Sequence, residues 1–241
     1  MAATLYALPA SHPCACVELA LKLKGIEYER VDMVPLMHMP LQHARFGGTT
    51  VPGLILDGEK ILGSRRIVHA LEERVPEPPL LPADAEELKA VELAEEWGDQ
   101  VLQPLARRVV WAALARDTSA IESYSAGARL PVPPMVARMT APLVARAEIR
   151  VHHASDANVR ADLINLDRKA ERVEHWIEQG ALGGEQPNAA DLQIGAGLRL
   201  LLTLDDIAAK LDGRPAAELA RRWFPDYPGH TPAGALPAAW L

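Results

Sequence analysis

The residues best able to do chemistry lie together near the N-terminus, in the turn Ser11-His12-Pro13-Cys14. An apolar strand pattern, Leu5–Leu8, precedes this turn, and a helical pattern that ends at Gly25 follows it. The N-terminus of a helix carries unpaired backbone N–H groups and the positive end of the helix dipole, which together stabilise an anion. A thiolate is an anion whose pKa shifts readily. We therefore predict that this turn holds a thiolate and that the Ser11 hydroxyl donates a hydrogen bond to it.

Each side chain of the turn also has a simpler interpretation. Ser11 is equally suited to capping the helix. Ser11 and Cys14 have the spacing of a Cys-x-x-Cys redox motif in which serine replaces the first cysteine. Cys14 therefore either forms a mixed disulfide with a small thiol or packs as a small buried residue. Cys16 is expected to fill the core or an interface. His12 is expected at the surface or in a substrate site, since side chains of adjacent residues rarely align for proton transfer.

A second polar cluster, Ser64-Arg65-Arg66, begins the next predicted helix of this part of the chain. A hydroxyl, helix-start N–H groups and cations together suit a carboxylate. The alternative is a helix N-cap followed by solvated arginines. The remaining histidines, among them His38, His43 and His152-His153, lack a nearby third ligand, so we predict surface histidines and no metal site.

Composition restricts the kind of partner. The chain has 241 residues and a net charge of −7, which argues against binding to nucleic acid or to an anionic membrane surface. No apolar run reaches the ~18 residues of a membrane span, and no signal-peptide pattern is present. Cys14 and Cys16 point in different directions on a helix and cannot bridge, so a reducing cytoplasm is the expected setting.

The pattern of the first third of the chain predicts β-α-β, a loop, then β-β-α. The strand after Gly25 alternates over 26–33, and residues 35–48 are predicted irregular because of their Pro and Gly residues. Apolar runs at 51–56 and 60–62 flank Asp57-Gly58, a strong hairpin signal. Ser64 is the predicted N-cap of a helix over 65–75.

A Pro-rich joint, 76–82, is predicted to pack across the surface, and helical patterns follow it. One helix spans 84–117, kinked or split at Pro104. Residues 118–134 are loop-like, and further helices are predicted at 135–153, 158–179, 188–204 and 215–223. A stripe on the first of these helices contains Trp97, Val101, Pro104, Arg108 and Trp111 and belongs either to the core or to a pocket.

Taken together, this order resembles the glutathione S-transferases. The resemblance implies an α/β thioredoxin-like domain over 1–77, a linker over 78–83, and an all-α helical bundle over 84–241 with a Pro/Gly-rich tail. It also implies a homodimer that binds glutathione as a substrate and needs no metal. The site residues that it implies are Ser11 and Cys14 for catalysis; His12, Val51, Pro52, Ser64 and Arg65 for glutathione; and Arg108 and Trp111 for the electrophile.

Two motifs carry the resemblance beyond the first turn. Val51-Pro52 resembles the cis-proline corner, where the backbone before the proline pairs with the glutathione peptide. Asn188 and Asp191 have the spacing of the capping box that begins the core helix of the second domain. The predicted function is activation of a glutathione thiol for attack on an electrophile. The alternatives are a non-catalytic binding or scaffold protein of this fold, and a deglutathionylating enzyme that uses Cys14.

Overall fold

The computed structural model describes residues 1–130 and 132–241. Its N-terminal domain contains, in order, β1 Ala3–Ala7, α1 His12–Leu23, β2 Glu29–Asp32, α2 His38–Phe46, β3 Gly53–Leu56, β4 Glu59–Leu62 and α3 Ser64–Arg74. The strands form one sheet in the order β2-β1-β3-β4. β1 runs parallel to β2 and antiparallel to β3, and the turn Asp57-Gly58 joins β3 to β4. This is the predicted β-α-β and β-β-α arrangement.

The sheet and helices of this domain enclose one apolar core. Leu5 and Leu54 are opposite each other in the β1–β3 pairing, and both are fully buried. Leu21 of α1 and Leu71 of α3 are buried in the same cluster. Alternate residues of β1, namely Ala3, Leu5 and Ala7, are buried in this core, and the Ser11 turn follows the C-terminal end of the strand.

The structure contains a helix, α2, where the sequence predicts irregular chain. Pro40 was taken as a helix breaker, but it lies in the first turn, where its missing N–H has no helical partner. Gly47 ends the helix with φ 79, the left-handed conformation typical of a helix C-terminus. A second correction concerns Ser64, which is the first helical residue of α3, while Gly63 occupies the N-cap position with φ 95.

The rest of the chain is helical. Its elements are α4 Ala85–Trp97, a π-helical segment Gly98–Leu102, α5 Gln103–Arg116, α6 Ile121–Tyr124, α7 Pro134–Val151, α8 Asp156–Ile164, α9 Leu166–Glu178, α10 Ala189–Leu201, α11 Asp205–Leu211 and α12 Pro215–Trp223. Short 3-10 turns lie at Thr118–Ala120 and Ala238–Trp240. Within the described residues, no helix combines the length and the apolar character needed to cross a membrane.

Several helix predictions for this half need adjustment. The helix predicted over 84–117 is divided by the π-helical segment, and Pro104 lies in the first turn of α5. The helix predicted over 158–179 is two helices, α8 and α9, separated at Asn165. Within the segment predicted as a loop, residues 121–124 form α6, and Pro131 lies outside the described residues.

The helix α10 lies at the centre of the molecule and is buried along nearly its whole length. It begins with both halves of the predicted capping box. The Asp191 backbone N–H donates to Asn188 Oδ1 (3.0 Å), and the Asn188 N–H donates to Asp191 Oδ2 (3.1 Å). Asp191 also accepts from the Gly183 N–H (2.9 Å), and burial raises the pKa of its carboxyl to about 6.

The Pro-rich joint packs against the N-terminal domain, as predicted. The buried ammonium of Lys24 pairs with Glu72 and donates to the carbonyl oxygens of Pro76 (3.2 Å) and Pro78 (2.6 Å). Glu72 in turn accepts from the Leu80 backbone N–H (3.0 Å). The chain therefore enters the helical half along a fixed path.

Candidate functional site

A cavity of about 190 Å³ lies between the N-terminal domain and the helical half of the chain. The Ser11 turn, α2 and the segment before β3 form one side of the cavity, and α5, α6 and the C-terminal end of α7 form the other. Both halves contribute apolar side chains to its wall: Leu8, Pro9, Ala10, Pro13, Pro35, Met39 and Val51 from the N-terminal domain, and Val110, Trp111, Leu114, Ile121, Val151 and Leu200 from the helical half. A small molecule in this cavity is therefore surrounded mostly by apolar groups.

The Ser11 turn is a β-turn closed by a hydrogen bond from the Ser11 N–H to the Leu8 carbonyl (3.3 Å). Pro9 is its second residue, and Ala10 is its third, with φ 50. A third residue with positive φ is typical of a type II turn and usually a glycine. The Tyr227 hydroxyl donates to the Ala10 carbonyl (2.7 Å), so a hydrogen bond connects the C-terminal tail to the turn.

Ser11 occupies the N-cap position of α1, but its side chain makes no capping hydrogen bond within the described residues. The simpler interpretation, that Ser11 only caps the helix, is therefore wrong. Its hydroxyl lies against the Cys14 thiol and lines the cavity. Ser11 consequently presents a hydroxyl to the cavity at the positive end of α1.

Neither cysteine is placed to act as a nucleophile. Cys14 is 1% exposed, and burial raises the pKa of its thiol to about 12, although its hydrogen bond with the Ser11 hydroxyl acts in the opposite direction. Cys16 is also buried and donates to the Gln193 side-chain carbonyl (3.0 Å); burial raises the pKa of Cys16 as well. The thiolate is the reactive form of cysteine. This environment therefore argues against the catalytic role predicted for Cys14, which packs as a small buried residue.

His12 lies in the wall of the cavity and not at the surface. It is 2% exposed, and its Nε2 has no hydrogen-bond partner in the described part of the chain. Burial, together with the positive charge of Arg107 and the neighbouring His152, lowers the pKa of His12 well below its ordinary value. The ring is therefore neutral at physiological pH.

The peptide bond between Val51 and Pro52 is cis, as the motif predicted. Val51 lines the cavity beside Thr49 and Thr50, whereas Pro52 is buried beneath it. The Pro52 carbonyl accepts from the Gly63 N–H (2.9 Å), which connects this corner to the start of α3. The structure thus brings Ser11, His12 and Val51 to one cavity.

Ser64 belongs to a buried hydrogen-bond network between the two halves of the chain. Its hydroxyl accepts from the side-chain amides of Gln103 (3.2 Å) and Gln193 (3.1 Å). The same two amides donate to Asp99 Oδ1, at 3.1 and 3.0 Å. Ser64 is 3% exposed and does not line the cavity.

Arg65 is paired at the same interface. Its Nε donates to Glu95 Oε2 (3.0 Å), and the same oxygen bonds His69 Nε2 (2.7 Å). Glu95 is 1% exposed, and its hydrogen bond raises the pKa of His69. Arg65 therefore neutralises a buried carboxylate of α4, and the structure does not bring it to the Ser11 cavity.

Of the two residues predicted for the electrophile pocket, Trp111 lines the cavity and Arg108 does not. Arg108 forms a bidentate ion pair with Asp162 of α8, at 2.7 and 3.0 Å. Arg107 lines the cavity instead. Arg107, Val110, Trp111 and Leu114 have the i, i+3, i+4, i+7 spacing of one face of α5, and Arg108 lies at the edge of that face.

Sequence reasoning missed a polar corner opposite the Ser11 turn. Glu148 of α7 is 3% exposed, and its Oε2 lies 2.9 Å from Nε2 of His152. His38 of α2 also lines the cavity and is 8% exposed. The prediction of a surface histidine is wrong for His38, which is buried; His152 is partly exposed, and His43 and His153 are exposed. The i, i+4 spacing of Glu148 and His152 in a predicted helix was the available signal.

Metal binding has no support in the described ranges, 1–130 and 132–241. No three His, Cys, Asp or Glu side chains there are placed to hold an ion.

The family model "Glutathione S-transferase, N-terminal domain" matches residues 5–79. No protein of curated function matches the sequence.

Solved structures resemble the chain over nearly its whole length. A glutathione S-transferase from Rhodospirillum rubrum F11 is 20% identical, with a TM-score of 0.64 and coverage of 97% of each chain. Glutathione transferase F7 from Populus trichocarpa is 17% identical, with a TM-score of 0.62 over 93% of this chain and 92% of that one.

A third structure, maleylacetoacetate isomerase from Anaeromyxobacter dehalogenans 2CP-1 with glutathione bound in its active site, is 23% identical. Its TM-score is 0.57, over 92% of this chain and 89% of that one. At such identities the likeness shows the fold, a four-stranded mixed sheet with helices followed by a helical region. Residues 5–79 thus match the N-terminal domain of the glutathione S-transferase family by sequence, and the whole chain has the fold of the solved glutathione S-transferases.

Proposed function

We propose that the chain is a glutathione transferase, which activates the thiol of glutathione or a similar small thiol for attack on an electrophile. The observation that supports it is Ser11, whose hydroxyl lines the cavity at the N-terminus of α1 and is not used to cap the helix. The glutathione bound in the active site of the isomerase from Anaeromyxobacter dehalogenans adds support from a related fold.

The proposed activation depends on how strongly this corner favours a thiolate. A hydrogen bond to a charged group contributes about 1.5–3 kcal/mol. A helix N-terminus adds about 0.3–1 kcal/mol. Each unit of pKa corresponds to ~1.4 kcal/mol. Ser11 and α1 together therefore lower the pKa of a bound thiol by about one to three units, from about 8.5 to near neutrality. In this mechanism Ser11 is a hydrogen-bond donor and not itself a nucleophile.

The rest of the thiol ligand would extend along the N-terminal domain. In the proposal, the backbone of Val51 pairs with the peptide of glutathione, and His12 borders the thiol. Ser64 accepts two amide N–H bonds, so its own O–H remains a donor for a carboxylate at the start of α3. Trp111 forms part of the electrophile pocket. Arg65, paired with Glu95, holds the helix start in place.

The experiment is a thiolate absorbance titration of bound glutathione in wild type and in Ser11→Ala. The thiol pKa should rise by about one to two units in the variant, because one charge-assisted hydrogen bond is lost. Ser125, a second serine in the cavity wall, provides the matched control Ser125→Ala, in which the thiol pKa should stay the same. Equal values in wild type and Ser11→Ala would exclude Ser11 from the mechanism.

A non-catalytic binding or scaffold protein is the second candidate function. It is favoured by Ser64, which lies beneath Gln103 and Gln193 and outside the cavity. Calorimetry with glutathione separates the two candidates, since a folded protein without measurable glutathione binding would favour the scaffold. The third candidate, deglutathionylation by Cys14, requires a glutathione adduct on that buried thiol after incubation with oxidised glutathione, detected by mass spectrometry.

We also propose a homodimer in a reducing, cytoplasmic setting. One side of α7 exposes Met135 (74%), Met139 (75%) and Leu143 (65%), an apolar stripe that a second copy of the chain would cover. Met139→Glu combined with Leu143→Glu should convert a dimer into a monomer in sedimentation experiments. An unchanged mass in the double variant would exclude this surface.

A further inference from the structure

A charged cluster joins α3 to α4 next to the start of α3, the place proposed for a carboxylate of the thiol ligand. Glu95 Oε2 accepts a hydrogen bond from Arg65 Nε (3.0 Å) and lies 2.7 Å from His69 Nε2. The side chain of Glu95 is 1% exposed, whereas those of Arg65 and His69 are 31% and 30% exposed. One buried carboxylate is therefore shared by a permanent cation and a titratable ring, and water reaches both of them.

Arg65 uses only one of its donor groups in this cluster. Arg108 binds Asp162 with both Nε and Nη2, but Arg65 binds Glu95 through Nε alone. The two terminal amino groups of Arg65 have no hydrogen-bond partner in the described part of the chain. A guanidinium presents its donors in a planar fork that matches a carboxylate. Arg65, which directly follows Ser64 in α3, can therefore receive a carboxylate while it stays paired with Glu95.

The net charge of the cluster depends on the proton of His69. Its hydrogen bond with Glu95 raises the pKa of His69 above the ordinary value, so the ring changes its charge near neutral pH. With a neutral ring, the charges of Arg65 and Glu95 cancel. With a protonated ring, the three groups together carry one positive charge. Protonation of His69 therefore leaves the charge of Arg65 uncompensated and available to an anion.

Other charged or titratable groups lie on α3 itself and on the elements packed against it: Arg66 and Glu73 on α3, Glu92 on α4, Asp99 after α4, Cys16 on α1 and Glu59 on β4. Glu92 also raises the pKa of His69, and Asp99 acts on Arg65. The thiol of Cys16 is uncharged because burial raises its pKa. Helix α10 meets α3 through the neutral amide of Gln193. Of the groups in contact with Glu95, His69 is thus the one whose charge changes near neutral pH.

We propose that a carboxylate of the thiol ligand binds at Ser64 and Arg65 together with a proton that His69 takes up. This inference rests on the proposed function, because the carboxylate belongs to the thiol whose sulfur lies at Ser11. The charge of the ligand favours the imidazolium, and the imidazolium in turn compensates Glu95 and frees the charge of Arg65. The site therefore binds its thiol more tightly as the pH falls from weakly alkaline to weakly acidic.

The test uses S-methylglutathione, which keeps the carboxylates of glutathione but has no ionisable thiol. Calorimetry in two buffers of different ionisation enthalpy counts the protons taken up on binding. An opposite charge within about 4–6 Å changes a proton affinity by about tenfold or more, and screening by water favours the lower value here. Tenfold coupling gives an uptake of about half a proton at its maximum, and an affinity about three to ten times higher at about pH 6 than at about pH 8.

Two isosteric variants should change the site in opposite directions. His69→Gln has no titratable ring, so its proton uptake should be near zero and its affinity should stay at the weaker level. Glu95→Gln removes the charge that Arg65 neutralises, so its affinity should stay at the higher level and vary little with pH. His175→Gln, at an exposed histidine of α9 that also faces a carboxylate, is the matched control and should keep the wild-type proton uptake.

Circular dichroism establishes that each variant is folded, and the outcomes then separate the two proposals. Binding without proton uptake in the wild type, or uptake unchanged in His69→Gln, overturns this inference and leaves the proposed function intact. A wild-type dependence on pH in Glu95→Gln overturns it as well, even where His69→Gln does not fold. A wild-type protein that binds no S-methylglutathione at any pH overturns the proposed function itself.

Discussion

The hydroxyl of Tyr227 offers a direct test of what stabilises the Ser11 turn. It donates to the carbonyl of Ala10 (2.7 Å), the residue before Ser11. Ala10 has φ 50, and the left-handed conformation costs an L-residue roughly 1–2 kcal/mol. The turn is therefore held in a conformation that its own sequence does not favour, and the bond from the tail helps to maintain it.

Tyr227→Phe removes that bond and little else. A neutral hydrogen bond contributes about 0.5–1.5 kcal/mol net, and a buried carbonyl left without a partner costs about 1–3 kcal/mol. We expect the free energy of unfolding to fall by about 1–3 kcal/mol. For a chain of this size, each kcal/mol lowers Tm by about 2–4 °C. The pKa of a thiol bound next to Ser11 should also rise, because the turn that presents the hydroxyl is less firmly placed.

Urea unfolding and the thiolate titration measure the two effects separately. Tyr28→Phe is the control, since it removes the same atom from a half-exposed tyrosine. If Tyr227→Phe leaves both the thiol pKa and, within about 0.5 kcal/mol, the free energy of unfolding unchanged, the hydrogen bond from the tail does not stabilise the turn, and the reasoning is refuted.

Three further predictions follow from buried ionisable groups. Because the pKa of Cys14 is about 12, iodoacetamide at pH 8 should label Cys14 roughly a thousandfold more slowly than a free thiol. Cys16 should also be labelled slowly, since burial raises its pKa as well. Mass spectrometry after timed quenching measures both rates, and labelling at the rate of a free thiol would contradict the prediction. Lys24→Met should lower the free energy of unfolding by about 2–4 kcal/mol by stranding Glu72, and adding Glu72→Gln should restore part of the loss. The carboxyl of Asp191 has a folded pKa of about 6, above its unfolded value near 3.9, so the folded state binds the proton more tightly. The protonated carboxyl contributes its full stabilisation below about pH 4, and this contribution is lost as the pH rises through 6. Over this pH range the free energy of unfolding should therefore fall by about 3 kcal/mol more in the wild type than in Asp191→Asn. A wild-type pH dependence equal to that of the variant would show that the carboxyl titrates normally.

The sequence was sufficient to predict features encoded by local chemistry. Asp57-Gly58 between two apolar runs predicted the β3–β4 hairpin, since such a turn needs residues that tolerate positive φ. The spacing of Asn188 and Asp191 predicted the capping box of α10, since both hydrogen bonds lie within one helical turn. The strand, turn and helix around Ser11 were predictable for the same reason.

Features that depend on packing could not be predicted in this way. Arg107 and Arg108 are adjacent on α5, and the sequence pattern alone did not show which of them faces the cavity. The structure places Arg107 in the cavity wall, whereas Arg108 pairs with Asp162 of α8. The burial of Ser64 arises from amides on α5 and α10, which are distant in sequence and meet only in the folded chain.

The same network explains why the two halves of the site form one unit. Gln103 donates to Ser64 through Nε2 (3.2 Å) and accepts from Arg107 through Oε1 (3.2 Å). Ser64 begins the helix proposed to receive the carboxylate of the thiol ligand, and Arg107 balances Glu148 in the cavity. One amide side chain therefore sets the position of groups on both sides of the interface. The Gln103 amide cannot rotate to follow Ser64 without losing its hydrogen bond with Arg107, and the reverse also holds. Gln103 thus connects the start of α3 in the N-terminal domain to Arg107 in the cavity wall by hydrogen bonds.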